Sequence, residues 1–313
     1  MNLLNYFGVF VFVSVVGYLY NKWDFKNKEN DVINEYDLVN KFLLGNLDKS
    51  KPYLWIYVSN NHKPVYYKSE ISEYIKSFYI ELCVRSIIKN CGDSFNVVLI
   101  NDDSINKLLP DWSVDMRMLD DPIKNNVRQL AISKILLKYG GLVVPESFIC
   151  KKNMICLYNE YCKKSFIVFE KYDCNNSNLK VNYNCSNKFM GSCKSNEELY
   201  GYIRHLEYIL STDNTSNVVF QDSINKYLDD LSNRQGVLLL NGRLIGIKDK
   251  NNEFISIEDL FSDKFIDCSD VYGIYLMNEE IQKRTKYNWL LDANITSLKE
   301  SNLYICKELL LCI

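Results

Sequence analysis

The stretch from Asn125 to Ser147, NNVRQLAISKILLKYGGLVVPES, constrains the backbone more than any other part of the chain. Val127, Leu130, Ala131, Ile135 and Leu137 recur at three- and four-residue intervals, with Asn126, Lys134 and Lys138 falling elsewhere, so the spacing predicts a helix with one buried face. Gly140-Gly141, directly after Lys138-Tyr139, is the expected stop. Glycine tolerates the left-handed cap and lets the following strand pack closely. Leu142-Val143-Val144 is then too short and too apolar to be anything but an interior strand.

The same alternation runs upstream. Pro52 to Val58 reads as a strand; Leu82, Ile87 and Ile88 mark a helix face that ends at Cys91-Gly92-Asp93; Phe95 to Ile100 is a second strand. Alternating helices and apolar strands imply an α/β protein with an open, mainly parallel sheet covered by helices. In such sheets ligands sit beyond the carboxyl ends of strands. That rule selects Asn101-Asp102-Asp103 and Pro145-Glu146-Ser147 as neighbouring rims of one crevice, where Asp102 or Asp103 would accept hydrogen bonds from a ribose or a base. The same acids, with Ser104, equally suit the start of a helix.

The helix, diglycine and strand resemble the DXD sugar-transferase and capsular polysaccharide synthesis group of glycosyltransferases, in which a pattern D-x-x-R-x-x-x-L-x-x-x-G-G-x-x-x-D-x-D or D-x-T occurs. Leu136, Gly140 and Gly141 hold their places, but Gln129 stands at the Asp position and Ile132 at the Arg position. Pro145 and Ser147 occupy the two ligand positions of the DXD, with Glu146 between them. The resemblance extends over roughly residues 50 to 250, through Pro52 to Val58, Tyr79 to Trp112 and Asn187 to Ser192. It implies a GT-A-type, Rossmann-like sheet and a Mn2+ or Mg2+ ion held by carboxylates against a donor diphosphate. Those carboxylates are missing here, so no metal or other cofactor is expected. Glu146 is a poor replacement, since on a strand it would face away from Pro145 and Ser147. Arg128, one turn before Ile132, is the candidate cation if the diphosphate is held without a metal.

The 313 residues are 47% hydrophobic with a formal net charge of -2, enough for a large core and no broad attraction to nucleic acid, which is excluded as a partner. Leu3 to Tyr20 is uncharged and apolar, with Tyr6, Tyr18, Tyr20 and Trp23 toward its ends; at roughly 27 Å of helix it suits a single membrane span, with a cleaved signal peptide or a buried helix as alternatives. The expected organisation is an anchor over 1–22 in the lipid bilayer, a stem over 23–49 and a glycosyltransferase-like domain over 50–313. Lys22, Lys26 and Lys28 after the span favour a cytoplasmic domain, although sequons at Asn175, Asn184, Asn214 and Asn294 leave lumenal placement open. Scarce alanine and abundant Asn, Lys, Ile and Tyr suit an AT-rich genome, such as that of a large DNA virus or a parasite, and hence a host membrane or a virion.

Eleven cysteines without a CxxC or zinc spacing read as reduced and mostly buried. His62 and His205 lie near no nucleophile signature, and no phosphate-binding glycine loop occurs. GVLLLNGRLIG over Gly236 to Gly246 predicts a hairpin turning at Asn241-Gly242, and Asp222 the N-cap of a helix over Ser223 to Leu231. Three functions fit: a membrane-anchored transferase-like protein that no longer transfers sugar and serves as a binding, scaffold or virion component; an active metal-independent hexosyltransferase using a nucleotide sugar; or a purely structural membrane protein.

Overall fold

In a computed structural model the described residues are 47–48, 50–58, 77–172, 183–212, 217–268 and 270–312. The expected span over residues 3–20 and His62 lie outside them. Among the described residues no helix is long and apolar enough to cross a membrane. The sheet and its helices belong to the unit Asp48–Ile313.

Strand β1 (Tyr53–Tyr57) pairs in parallel with β2 (Asn96–Ile100), with helix α1 (Phe78–Cys91) between them in sequence. Helices α2 (Asp102–Leu108) and α3 (Ile123–Tyr139) then carry the chain to β3 (Gly141–Pro145), parallel to the other edge of β1. After β4 (Phe148–Cys150) come β5 (Phe166–Tyr172) and β6 (Tyr183–Ser192), antiparallel to one another, with β6 beside β3. Helices α4 (Glu197–Ser211) and α5 (Asn217–Asn233) lead to β7 (Val237–Leu240), parallel to β5. The six-stranded sheet therefore runs β2-β1-β3-β6-β5-β7 with β6 alone reversed, and β4 pairs with β8 (Gly273–Tyr275) in a second, two-stranded sheet. This is the mixed α/β architecture, mostly parallel and flanked by helices, that the alternation predicts.

The diglycine has a steric cause. Gly140 caps α3 through its N–H to the Leu136 carbonyl at 2.8 Å, with φ +72°. At Gly141 φ is +115°, and a Cβ there would stand 2.3 Å from the Tyr53 carbonyl oxygen. Only glycine lets β3 lie this close to β1. The fully buried Trp55 fixes the bend by donating from Nε1 to the Gly140 carbonyl at 2.9 Å.

Four local expectations are corrected. Asn126 lies not on the solvent side of α3 but 1% exposed, because the helix is covered by β3, β6 and α4 on more than one side; its Oδ1 has no partner among the described residues. Asn241-Gly242 makes no hairpin. Asn241 caps a 3-10 helix over Gly242–Ile245, and β7 finds its partner in β5 rather than in the residues after it. Helix α5 begins at Asn217, so Asp222 lies inside it and caps nothing. Finally, β3 ends at Pro145, so Glu146 and Ser147 occupy a turn and strand alternation does not decide which way they face. The ten described cysteines are free, and all but Cys156 and Cys193 are buried, while His205 stacks on Tyr227 at 4.1 Å within the α4–α5 layer.

Candidate functional site

The chain leaves β1 toward β2 on one side and returns to β3 on the other, which makes the carboxyl ends of β1 and β3 the switch point of the sheet. A crevice is expected there in any open α/β sheet. Tyr57 closes β1 at that level, opposite Ile100 of β2 and Pro145 of β3. It sits between the two rims that the sequence selects.

On the β2 side the sequence places a carboxylate at the start of α2. Asn101 is the N-cap, its side chain accepting from Ser104 N–H at 3.0 Å while Ser104 Oγ accepts from Asn101 N–H at 2.7 Å. This capping box relieves Asp102 of capping duty. Asp102 instead accepts from Arg128 Nε at 2.8 Å and Nη2 at 2.7 Å, and from the Tyr57 hydroxyl at 2.6 Å, with Lys124 Nζ at 3.6 Å. Arg128 also donates to Asn125 Oδ1 at 2.6 Å and lies over the Tyr57 ring at 5.5 Å. The forked ion pair is nearly closed off, its side chains 14% and 13% exposed. Burial alone would raise the Asp102 carboxyl, but the hydrogen bonds from Arg128 and Tyr57 and the charges of Arg128 and Lys124 hold it below the usual carboxylate range. Burial, and then the bond to Asp102, push the Tyr57 phenol far up, so it stays neutral. Asp103, by contrast, is exposed.

The β3 side is differently built. Pro145 offers no side-chain donor. Ser147 is 2% exposed, with Oγ donating to the Leu276 carbonyl at 2.7 Å and its own carbonyl accepting from Leu276 N–H at 3.0 Å, so it ties the turn to the strand end of β8. Glu146 is half-buried and close enough to Tyr57, Tyr79 and Tyr275 for its charge to raise all three phenols, after the larger effect of burial. Among the described residues no group of three His, Cys, Asp or Glu side chains converges, and at the two positions where the resemblance calls for carboxylates Pro145 has no side-chain oxygen and the Ser147 hydroxyl is committed to Leu276.

The positions that depart from the sugar-transferase pattern have partners of their own. Gln129 accepts from Asn187 Nδ2 at 2.6 Å, so α3 is bonded to β6 by neutral amides. Ile132 is half-buried on the same helix. Among the described residues Asp102 takes its side-chain hydrogen bonds from Arg128 and Tyr57. A register shift that no local pattern announces lies next to Asn187. Between the β5–β6 pairs Val168 with Met190 and Phe169 with Ser186 the register shifts, and Asn187, Lys188 and Phe189 bulge from β6. Phe189 goes into the core against Phe148 and Phe169, while Lys188 Nζ reaches Glu279 Oε1 at 3.1 Å. The sequence signals of this segment are the resemblance carried by Asn187 to Ser192 and a charged residue placed directly before the apolar FMG run.

Compared with known proteins, the chain matches no family model and no curated protein. Among solved structures it is similar to the apo form of the glycosyltransferase GlyE from Streptococcus pneumoniae TIGR4, at 10% identity and a TM-score of 0.38 over 63% of this chain. That match covers 46% of GlyE, less than half of its length. PaToxG glycosyltransferase is similar at 14% identity and a TM-score of 0.32, over 68% of this chain and 82% of its own. The neighbours are glycosyltransferases, and likeness this weak assigns no activity to this chain.

Proposed function

We propose that this chain is a membrane-anchored, glycosyltransferase-like protein that has lost metal-dependent sugar transfer and binds a nucleotide sugar or glycan as a binding, scaffold or virion component. The observation that carries the reading is the turn after the diglycine bend. Where the resemblance calls for two metal-binding carboxylates, Pro145 has no donor and the Ser147 hydroxyl is spent on Leu276. The site of Arg128 supports the same reading, because a guanidinium already forked onto Asp102 is not available to a leaving diphosphate. The apolar run from Leu3 to Tyr20 supports an anchor.

The test is direct. Full chain in detergent micelles is incubated with UDP- and GDP-sugars plus Mn2+ or Mg2+, and released nucleotide is measured alongside a thermal-shift series without metal. The expected result is no turnover, with stabilisation by ligand unaffected by the ion. Metal-dependent turnover at roughly 1 s⁻¹ or faster overturns the reading.

A further inference from the structure

Two cations at the rim differ in how firmly they are held. Arg128 is locked by a nearly buried fork. Lys188 is not: its side chain is 47% exposed and its partner Glu279 64% exposed, the setting in which ion pairs contribute least and are most readily exchanged. We propose that Lys188, with Lys171 and Lys283, forms a metal-independent binding site for a diphosphate group, and that Glu279 is the internal anion the ligand displaces. The inference rests on reading the rim as a ligand site without a metal.

Three features of the fold converge on this assignment. The bulge at Asn187 to Phe189 lies just past the last β3–β6 pair, Val143 with Met190, so β6 delivers Lys188 at the level where β3 runs out in Pro145. Bulges re-aim a side chain that a regular ladder would hold in line. The helix Asn278–Lys283 follows the Ser147–Leu276 junction and carries Glu279 and Lys283 one turn apart, on the same face. Lys171 comes from the carboxyl end of β5, next to the reversed strand. The charge of Lys188 above all, and after it those of Lys283 and Lys171, holds the Glu279 carboxyl below its usual range. Lysine binds phosphate oxygens as a point charge and needs no fixed fork, which suits a ligand that must exchange with a carboxylate.

Inorganic pyrophosphate is the probe, titrated calorimetrically into the full chain with EDTA present. Wild type is expected to bind. Lys188→Ala weakens binding by about tenfold, the order of one charge-assisted hydrogen bond at a partly exposed site, while Lys188→Arg largely preserves it. Glu279→Gln tightens it several-fold, because the displaced anion is gone; a purely structural ion pair predicts no gain. UDP or GDP binding tighter than pyrophosphate identifies a nucleoside diphosphate, and a monophosphorylated sugar binding as tightly as pyrophosphate counts against a site for a diphosphate. No pyrophosphate binding, or equal affinity in wild type, K188A and E279Q, overturns the proposal. Manganese-dependent turnover sinks the reading of the chain as a protein without metal-dependent transfer, whatever these variants do, whereas unchanged affinities in EDTA sink the lysine site alone.

Discussion

Replacing Asp102 by asparagine tests whether the carboxyl rim is locked or merely decorated. The substitution keeps the side chain's shape but removes the charge that takes Arg128 Nε at 2.8 Å and Nη2 at 2.7 Å. An exposed pair would lose about 0–1 kcal/mol, and a fully buried one about 3–5 kcal/mol when one partner goes. At 14% and 13% exposure the pair lies near the buried limit, but Arg128 keeps Asn125 Oδ1 at 2.6 Å and the Tyr57 ring at 5.5 Å, which offset part of the loss. The net expectation is about 2–3 kcal/mol, or a fall in Tm of roughly 4–6 °C for a unit of this size. Thermal unfolding followed by circular dichroism at neutral pH measures it. A cycle with Arg128→Met separates the pair from everything else: the double variant is expected to be more stable than the sum of the singles by about 2 kcal/mol, because removing both charges leaves none stranded. A coupling under about 0.5 kcal/mol would refute the claim that Arg128 is neutralised by Asp102 and would return it to the list of available cations.

Because the Asp102 carboxyl is held down in the folded protein, the unfolded chain binds that proton more readily; the stabilisation is complete above the unfolded value near 3.8 and is lost as pH falls toward the lower folded one. Acid titration of stability should therefore steepen below about pH 4 in wild type and flatten in Asp102→Asn; parallel curves would show that Asp102 has no such role. Gly141→Ala should prevent recovery of folded protein, since its Cβ would lie 2.3 Å from the Tyr53 carbonyl at φ +115°; an alanine variant with wild-type melting behaviour would show the bend to be tolerant. Among the ten described cysteines, native-state alkylation with peptide mapping should modify the exposed Cys156 first, and equal labelling of Cys91 or Cys150 would contradict the buried packing.

The legible elements are those encoded by neighbours in the chain. The α3 periodicity, the stop at Gly140-Gly141 and the unbroken apolar runs of β1, β2 and β3 can each be recognised within a short window, and together they imply a parallel sheet before any contact is known. The failures occur where a remote partner decides. Asn241-Gly242 has the composition of a hairpin turn, but β7 gains more by completing an edge of the main sheet against β5, so a local turn preference yields to a distant ladder. Asn126 reads as a surface residue, but β3, β6 and α4 pack around the helix and leave it 1% exposed.

The site shows the same division, and there it changes the chemistry. That the acidic pair which the resemblance implies is lacking is visible, because Pro145 and Ser147 stand at fixed distances from the diglycine. Which cation could answer that lack is not visible, since sequence proximity favours Arg128, a few residues upstream on α3. A cation is available to a ligand only if its present partner is easier to give up than the ligand is to bind. Arg128 is held through two hydrogen bonds to Asp102 and a third to Asn125, in a closed setting, whereas Lys188 is held through an exposed contact on a bulge. That difference in solvation, not the presence of a positive charge, separates a structural lock from a binding group. Only the packing of β6 beside β3 brings Lys188 to the rim where the distinction matters.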